Sequence, residues 1–275
     1  MSECQYYEFR AIDAPLGKRQ IATLRGLSSR ATITPVSFVN EYHYGSLSAD
    51  PLEWMKRCFD AFVYVANWCE RELMFRLPKR LFDPKPWQPF TDDGALSFTR
   101  SKEFVVISIG NAGRETDAAD GHDGSEWLDR LLPIREEIAS GDHRALYLAW
   151  LGGLTEDDST DAGPTVPAGL RSLTPAQKAL VRFLEVPARA VSAAARTSPP
   201  LRPVRRPDIS RSITRLSKGE ALAWVRRIAM DDPVRTKSAL LRELEAGRRE
   251  RSTRPDAVDR PGRTNRATRR VRDDR

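Results

Sequence analysis

Residues 50–78, DPLEWMKRCFDAFVYVANWCERELMFRLP, decide how this chain is read. Asp50 is placed as an N-cap, Pro51 suits the first helical position, and Glu53 completes a capping-box pattern. Behind this start, Leu52, Met55, Phe59, Phe62, Val63 and Ala66 fall on one face at helical spacing. Trp54, Ala61, Val65 and Trp68 make the opposite side apolar as well. A helix apolar around most of its circumference is buried on more than one side. The segment is therefore expected to be one long helix, the spine of the fold. The stretch ends on ELMFRLP, which alternates and places Leu73, Phe75 and Leu77 on one face of a short strand.

Upstream, QYYEFRAI (5–12) has period two, with Tyr7, Phe9 and Ala11 facing one way and Tyr6, Glu8 and Arg10 the other, so a strand is expected. Ile21, Leu24 and Leu27 then recur at helical spacing. RATITPVSFVNEY reads as a second strand interrupted at Pro35. Downstream, ALSFTRSKEFVVISIG reads as a hairpin turning at TRSK, and SEWLDRLLPIREEIASGDHRALYLAWLGGL as two helices separated at Gly141. Residues 152–169 have the composition of a linker. A helical patch, TPAQKALVRFLEV, and a Pro-rich extended segment, RTSPPLRPVRRPD, follow. A capping box from Ser217 to Glu220 opens a helical pair, with Leu222, Val225, Ile228 and Ala229 as the first apolar stripe.

These elements predict an α+β protein: a small mixed or antiparallel sheet with packed helices, then a helical C-terminal extension and a disordered basic tail. The expected divisions are an α+β domain over 1–155, a linker with a short helix and a Pro-rich segment over 156–216, a helical pair over 217–246, and an Arg-rich tail over 247–275.

Charge is segregated along the chain. Residues 1–160 carry 18 Lys+Arg against 25 Asp+Glu, while residues 161–275 carry 27 against 13. An acidic body joined to a basic C-terminal part suggests two tasks. The excess of 37 Arg over 8 Lys fits the coding bias of a GC-rich genome, but such a bias does not explain the segregation. Three cysteines without CxxC spacing, no long apolar run and no apolar leader point to a reduced, cytoplasmic protein.

Four stretches in order, YYEFRAIDAPL, SSRATITPVSFVNEYHYG, FDAFVYVANW with LMFRLP, and LLPIREEIASGDHRALYLAWL, resemble a family of bacterial proteins of unknown function. The resemblance covers about the first 155 residues, and ALAWVRRIAMDDPVRTKSALLREL resembles the closing helical pair of that family. It implies no activity, ligand or catalytic residue. Cys69 departs from the pattern, standing where a small residue is expected after Asn67 and Trp68, and the Arg-rich end reads as an addition.

The polar end of SFVNEYHYG (37–45) is the first candidate site. On a strand Glu41 and His43 share one face, and Asn40, Tyr42 and Tyr44 the other. A carboxylate beside an imidazole can orient a general base or hold a metal, although no second His stands within metal spacing. Asp13, at the end of the first strand, would complete a polar triad if adjacent. The same residues also fit a histidine satisfied by one hydrogen bond near a strand end. The loop GNAGRETDAADGHDG lacks phosphate-loop and EF-hand spacing and reads as solvated. No GxSxG, SxxK or HExxH motif occurs, and Cys58 and Cys69 read as structural. Nothing in the pattern requires a cofactor or a metal. In the tail, Arg248, Arg249, Arg251, Arg263, Arg266, Arg269 and Arg270 are candidates for contacting nucleic acid or another polyanion. The expected function is a non-catalytic module that binds a protein partner. The alternative is a small-molecule enzyme with Glu41 and His43 as its acid–base pair.

Overall fold

The computed structural model describes residues 4–91, 95–111, 124–154, 163–201 and 216–230, with isolated positions (213, 214, 236, 239, 240, 243 and 244) beyond these. Its centre is a seven-stranded antiparallel sheet, so the architecture is α+β. The strands are β1 (Gln5–Arg10), β2 (Thr32–Ile33), β3 (Ser37–Tyr42), β4 (Ala61–Ala66), β5 (Arg71–Pro78), β6 (Leu96–Arg100) and β7 (Phe104–Gly110), in the order β2-β3-β1-β4-β5-β7-β6.

The spine helix is not formed. Helix α2 spans only Pro51–Arg57, and the rest of the expected helix is β4, the middle strand of the sheet, between β1 and β5. Ala61, Val63 and Val65 of β4 enter one core, and Phe62, Tyr64 and Ala66 the other. A strand buried on both faces is apolar at nearly every position, as a helix buried all round would be, and periodicity cannot separate the two. The helix start was legible: the Asp50 carboxylate accepts the Leu52 N–H at 2.8 Å. Glu53 does not complete a capping box; it pairs with Lys56 at 2.7 Å.

Helices flank both faces. On one side lie α1 (Lys18–Leu27) and α2. Trp54, Met55 and Phe59 pack there on Phe9, Phe38 and Phe62, with the Phe9 and Phe62 rings 4.4 Å apart. Aromatic pairs at such spacing add to simple area burial. On the other face sit α3 (Trp127–Leu131), α4 (Pro133–Ala139), α5 (Arg144–Gly153), α6 (Pro175–Phe183) and α7 (Ala188–Thr197). Gly141, at φ +90°, makes the left-handed break before α5. Gly124 lies against Tyr6, where any Cβ would come within 2.3 Å of the ring.

The 156–216 segment, expected as a linker with one short helix, holds α6 and α7. Leu180 and Phe183 of α6 are fully buried in the same core as β4, β5 and β7. Arg71 at the start of β5 ties α6 to the sheet. It donates to the Phe183 carbonyl at 2.8 Å, pairs with Glu185 at 2.9 Å, and stacks between Trp127 and Phe183. A cation at a helix C-terminus also meets the negative end of the helix dipole.

Helix α8 (Lys218–Met230) opens with the Ser217–Glu220 box. Its expected stripe is not buried. Leu222, Val225 and Ile228 are exposed, whereas Trp224 is buried under Arg227. Residues 247–275 lie outside the described residues, as does most of the second helix expected in the pair.

Candidate functional site

Strand register fixes what gathers around Glu41. In the antiparallel β1–β3 pair, Tyr6 faces Glu41 and Gln5 faces Tyr42. One further step sets Cys4 opposite His43, just beyond the end of β3. Side chains two apart on a strand share a face, so Cys4, Glu41 and His43 emerge on one side of the sheet. The Cys4 thiol donates to Glu41 Oε1 at 3.2 Å, and His43 Nε2 lies 3.8 Å from the same oxygen. Cys4 is anchored from both sides. Its N–H donates to Asn67 Oδ1 and its carbonyl accepts the Asn67 N–H, each at 3.0 Å. Burial first, then the hydrogen bond and charge of Glu41, push the Cys4 thiol above its usual range. An activated cysteine nucleophile needs the opposite displacement. The His43 and Glu41 side chains are 67% and 49% exposed, so neither sits in a water-excluded pocket.

Asp13 does not join them. It lies past the other end of β1, about 20 Å from Glu41 at the rise of an extended chain. There its carboxylate accepts Arg135 Nη2 at 2.7 Å, and its backbone N–H donates to Asp60 at 2.7 Å. The polar triad is therefore corrected to a different trio, with Cys4 in place of Asp13. The sequence reading missed Cys4 because it lies one residue before β1. Extending the period-two pattern of that strand back by one step would have found it.

A second polar cluster lies on the opposite face of the same sheet end. Gln5 Oε1 accepts the hydroxyls of Tyr7 at 2.6 Å and Tyr64 at 3.3 Å, and Gln5 Nε2 donates to the Gly45 carbonyl at 2.7 Å. Glu72 is the cross-strand neighbour of Tyr64. Its carboxyl is pushed up to about 7, by burial first and then by the charges of Glu70 and Asp50. Burial also raises the Tyr64 phenol, with Tyr7 and Glu70 adding to the effect. The alternation of ELMFRLP puts Glu72 opposite Leu73, and only the burial of that second face was missing from the reading. A shallow cleft of about 280 Å³ opens nearby, lined by Ser28, Arg30, Tyr42, Tyr44, Gly45 and Ser48 among others.

The other buried charges are bonded into the frame. Asp60, fully buried, accepts the Ile12 and Asp13 N–H groups at 2.7 Å each and the Arg76 guanidinium at 2.7 and 3.1 Å. Arg144 pairs with Asp142 and donates to the Gly169 and Ser172 carbonyls. His143, at the start of α5, packs edge-on against Phe82 and Trp87, and burial lowers its pKa. Cys58, half-buried after α2, has its thiol pushed up to about 11, mainly by burial. The loop holding His122 and the tail arginines (Arg248, Arg249, Arg251, Arg263, Arg266, Arg269 and Arg270) lie outside the described residues.

No family model matches the chain, and neither a curated protein nor a solved structure matches it. Among the described residues, no helix is long and apolar enough to cross a membrane.

Proposed function

We propose that the protein is a non-catalytic, cytoplasmic binding module. An α+β body presents helix α8 to a protein partner, and the Arg-rich segment 247–275 contacts nucleic acid or another polyanion. The carrying observation is the apolar face of α8, where Leu222 and Val225 are 52% and 60% exposed although the sheet cores are closed. An apolar stripe left in water on an otherwise consolidated fold favours a binding role. The buried acids and arginines also support this reading, because ion pairs and backbone bonds already engage Asp13, Asp60, Asp142 and their arginines. Glu41 and His43 are too exposed to favour the acid–base alternative.

The test uses the full chain, a Val225→Glu variant and a chain lacking 247–275 as baits from the same extract over a salt series. A protein partner should be lost with Val225→Glu and kept by the truncated chain. Nucleic acid should show the reverse. If about six phosphates are engaged, duplex affinity should fall roughly a thousandfold between about 50 and 200 mM salt. Identical material on all three baits would defeat the reading.

A further inference from the structure

We propose that Cys4, Glu41 and His43 form a binding site for a divalent cation of the zinc class, with one coordination position left open. The sulfur, a carboxylate oxygen and an imidazole nitrogen all lie within 4.8 Å of one another. In a tetrahedral zinc site, bonds of about 2.3 Å to sulfur and about 2.0–2.2 Å to nitrogen and oxygen put the ligand atoms roughly 3.4–3.6 Å apart. The separations of 3.2 Å from sulfur to oxygen and 3.8 Å from nitrogen to oxygen bracket that range. The adjustment needed is small, and the exposed Glu41 and His43 side chains are free to make it. The most constrained ligand is Cys4, whose backbone Asn67 pins by two hydrogen bonds, one from its N–H to Asn67 Oδ1 and one to its carbonyl from the Asn67 N–H. Register supplies the rest, since Cys4 and His43 each lie one residue beyond the Gln5–Tyr42 pair and Glu41 is two residues from His43.

The donor set selects the ion. Thiolate with imidazole suits zinc and its borderline neighbours, whereas magnesium and calcium require oxygen ligands. A thiolate, a carboxylate and a neutral imidazole carry two negative charges, which a divalent cation neutralises. Among the described residues, no Lys or Arg pairs with Glu41. A thiol coordinated to a divalent cation loses its proton. Three protein ligands leave a fourth position for water or for a donor from a bound molecule. The site is independent of α8 and of the tail.

The experiment is a titration of chelator-treated, reduced full-length protein with Co²⁺, followed by displacement with Zn²⁺. One equivalent of Co²⁺ should give a thiolate-to-metal charge-transfer band, and Zn²⁺ should abolish it. Cys4→Ser should remove the band. Glu41→Gln and His43→Ala should each weaken binding at least about tenfold. Cys58→Ser, which changes a remote thiol, should leave the band unchanged. If Cys4→Ser fails to fold, the exposed His43→Ala variant decides alone, and unaltered Co²⁺ affinity there overturns the site. The proposal is also overturned if the wild type shows no thiolate band at one equivalent, or if the band survives Cys4→Ser.

Discussion

The two ends of strand β1 handle charge in opposite ways. At the far end, each carboxylate has an arginine. Asp60 holds Arg76 and two backbone N–H groups, and Asp13 holds Arg135, whose Nε donates to the Arg76 carbonyl at 3.0 Å. At the near end, Glu41, Glu70, Glu72 and Asp50 stand around this end of the sheet without a Lys or Arg ion-pair partner among the described residues. Their surroundings are a thiol, an imidazole, phenols, the Trp68 indole N–H on Glu70, the Leu52 N–H on Asp50, and one another. A paired buried carboxylate holds a fold in register, while an acid without a counter-charge is available to protons or cations. The difference teaches where stability and where responsiveness should be sought.

The far end should give the largest effect. Asp60→Ala leaves Arg76 partly buried without its carboxylate and strips the Ile12 and Asp13 N–H groups of their acceptor. Removing one partner of a buried pair costs about 3–5 kcal/mol. Urea denaturation of wild type and variant measures this directly, and a loss below about 1 kcal/mol would break the contrast between the two ends.

Glu72 tests the near end by pH. Its folded carboxyl is pushed up to about 7, against 4.5 for an ordinary glutamate, so the folded state binds that proton more tightly than the unfolded chain. Its contribution is complete below about pH 4.5, is lost as pH rises through about 7, and is flat above that. Glu72→Gln cannot lose it. Between pH 5 and pH 8 the variant should therefore gain about 2–3 kcal/mol relative to wild type. Paired urea titrations at the two pH values check the sign, and a pH-independent difference would remove Glu72 from the responsive end.

These contrasts show what the residues disclosed and what they withheld. The alternation of QYYEFRAI and ELMFRLP gave β1 and β5, and the Ser217–Glu220 spacing gave the start of α8. AFVYVA misled because a strand with two buried faces has no polar side to reveal its period. The Glu41 and His43 pair was visible from spacing two on one strand. Its third member was not, because Cys4 reaches it through the β1–β3 register, a contact 37 residues apart in sequence. Asp13 belongs to the triad only if adjacent, and that condition fails for the same reason: adjacency across strands depends on register, which local pattern leaves open.

A smaller effect is expected at the β4–β5 turn, beside Cys4. Cys69 has φ +72°, a left-handed conformation that favours glycine, at the last position of the loop Asn67–Cys69. Its N–H donates to the Ala66 carbonyl at 3.0 Å, and the Ala66 N–H closes the loop on the Glu70 carbonyl at 2.9 Å. Cys69→Gly keeps those backbone bonds and relieves the conformation, so it should stabilise the protein by about 1 kcal/mol. Thermal unfolding under reducing conditions reads this, and destabilisation would place a needed contact on the Cys69 side chain.

The smallest effect sharpens the comparison most. His43 stands just after β3, with its side chain 67% exposed and its ring 3.8 Å from Glu41. An exposed pair at this distance contributes about 0–1 kcal/mol, and truncating a surface side chain shifts stability by about 0.5 kcal/mol or less. His43→Ala, measured in chelator at pH 7, should therefore melt almost as wild type. A loss of about 1–3 kcal/mol would mean that His43 satisfies a buried partner and belongs to the frame, as Asp13 does. The same pair of proteins measured with Zn²⁺ present separates the remaining roles. A cation that binds only the folded state raises wild-type stability in proportion to the logarithm of its concentration over its dissociation constant. His43→Ala should lose most of that increment while matching wild type in chelator. Equal increments in the two proteins would leave His43 as a solvated residue at a strand end, and cation binding would then drop out of the contrast between the two ends of β1.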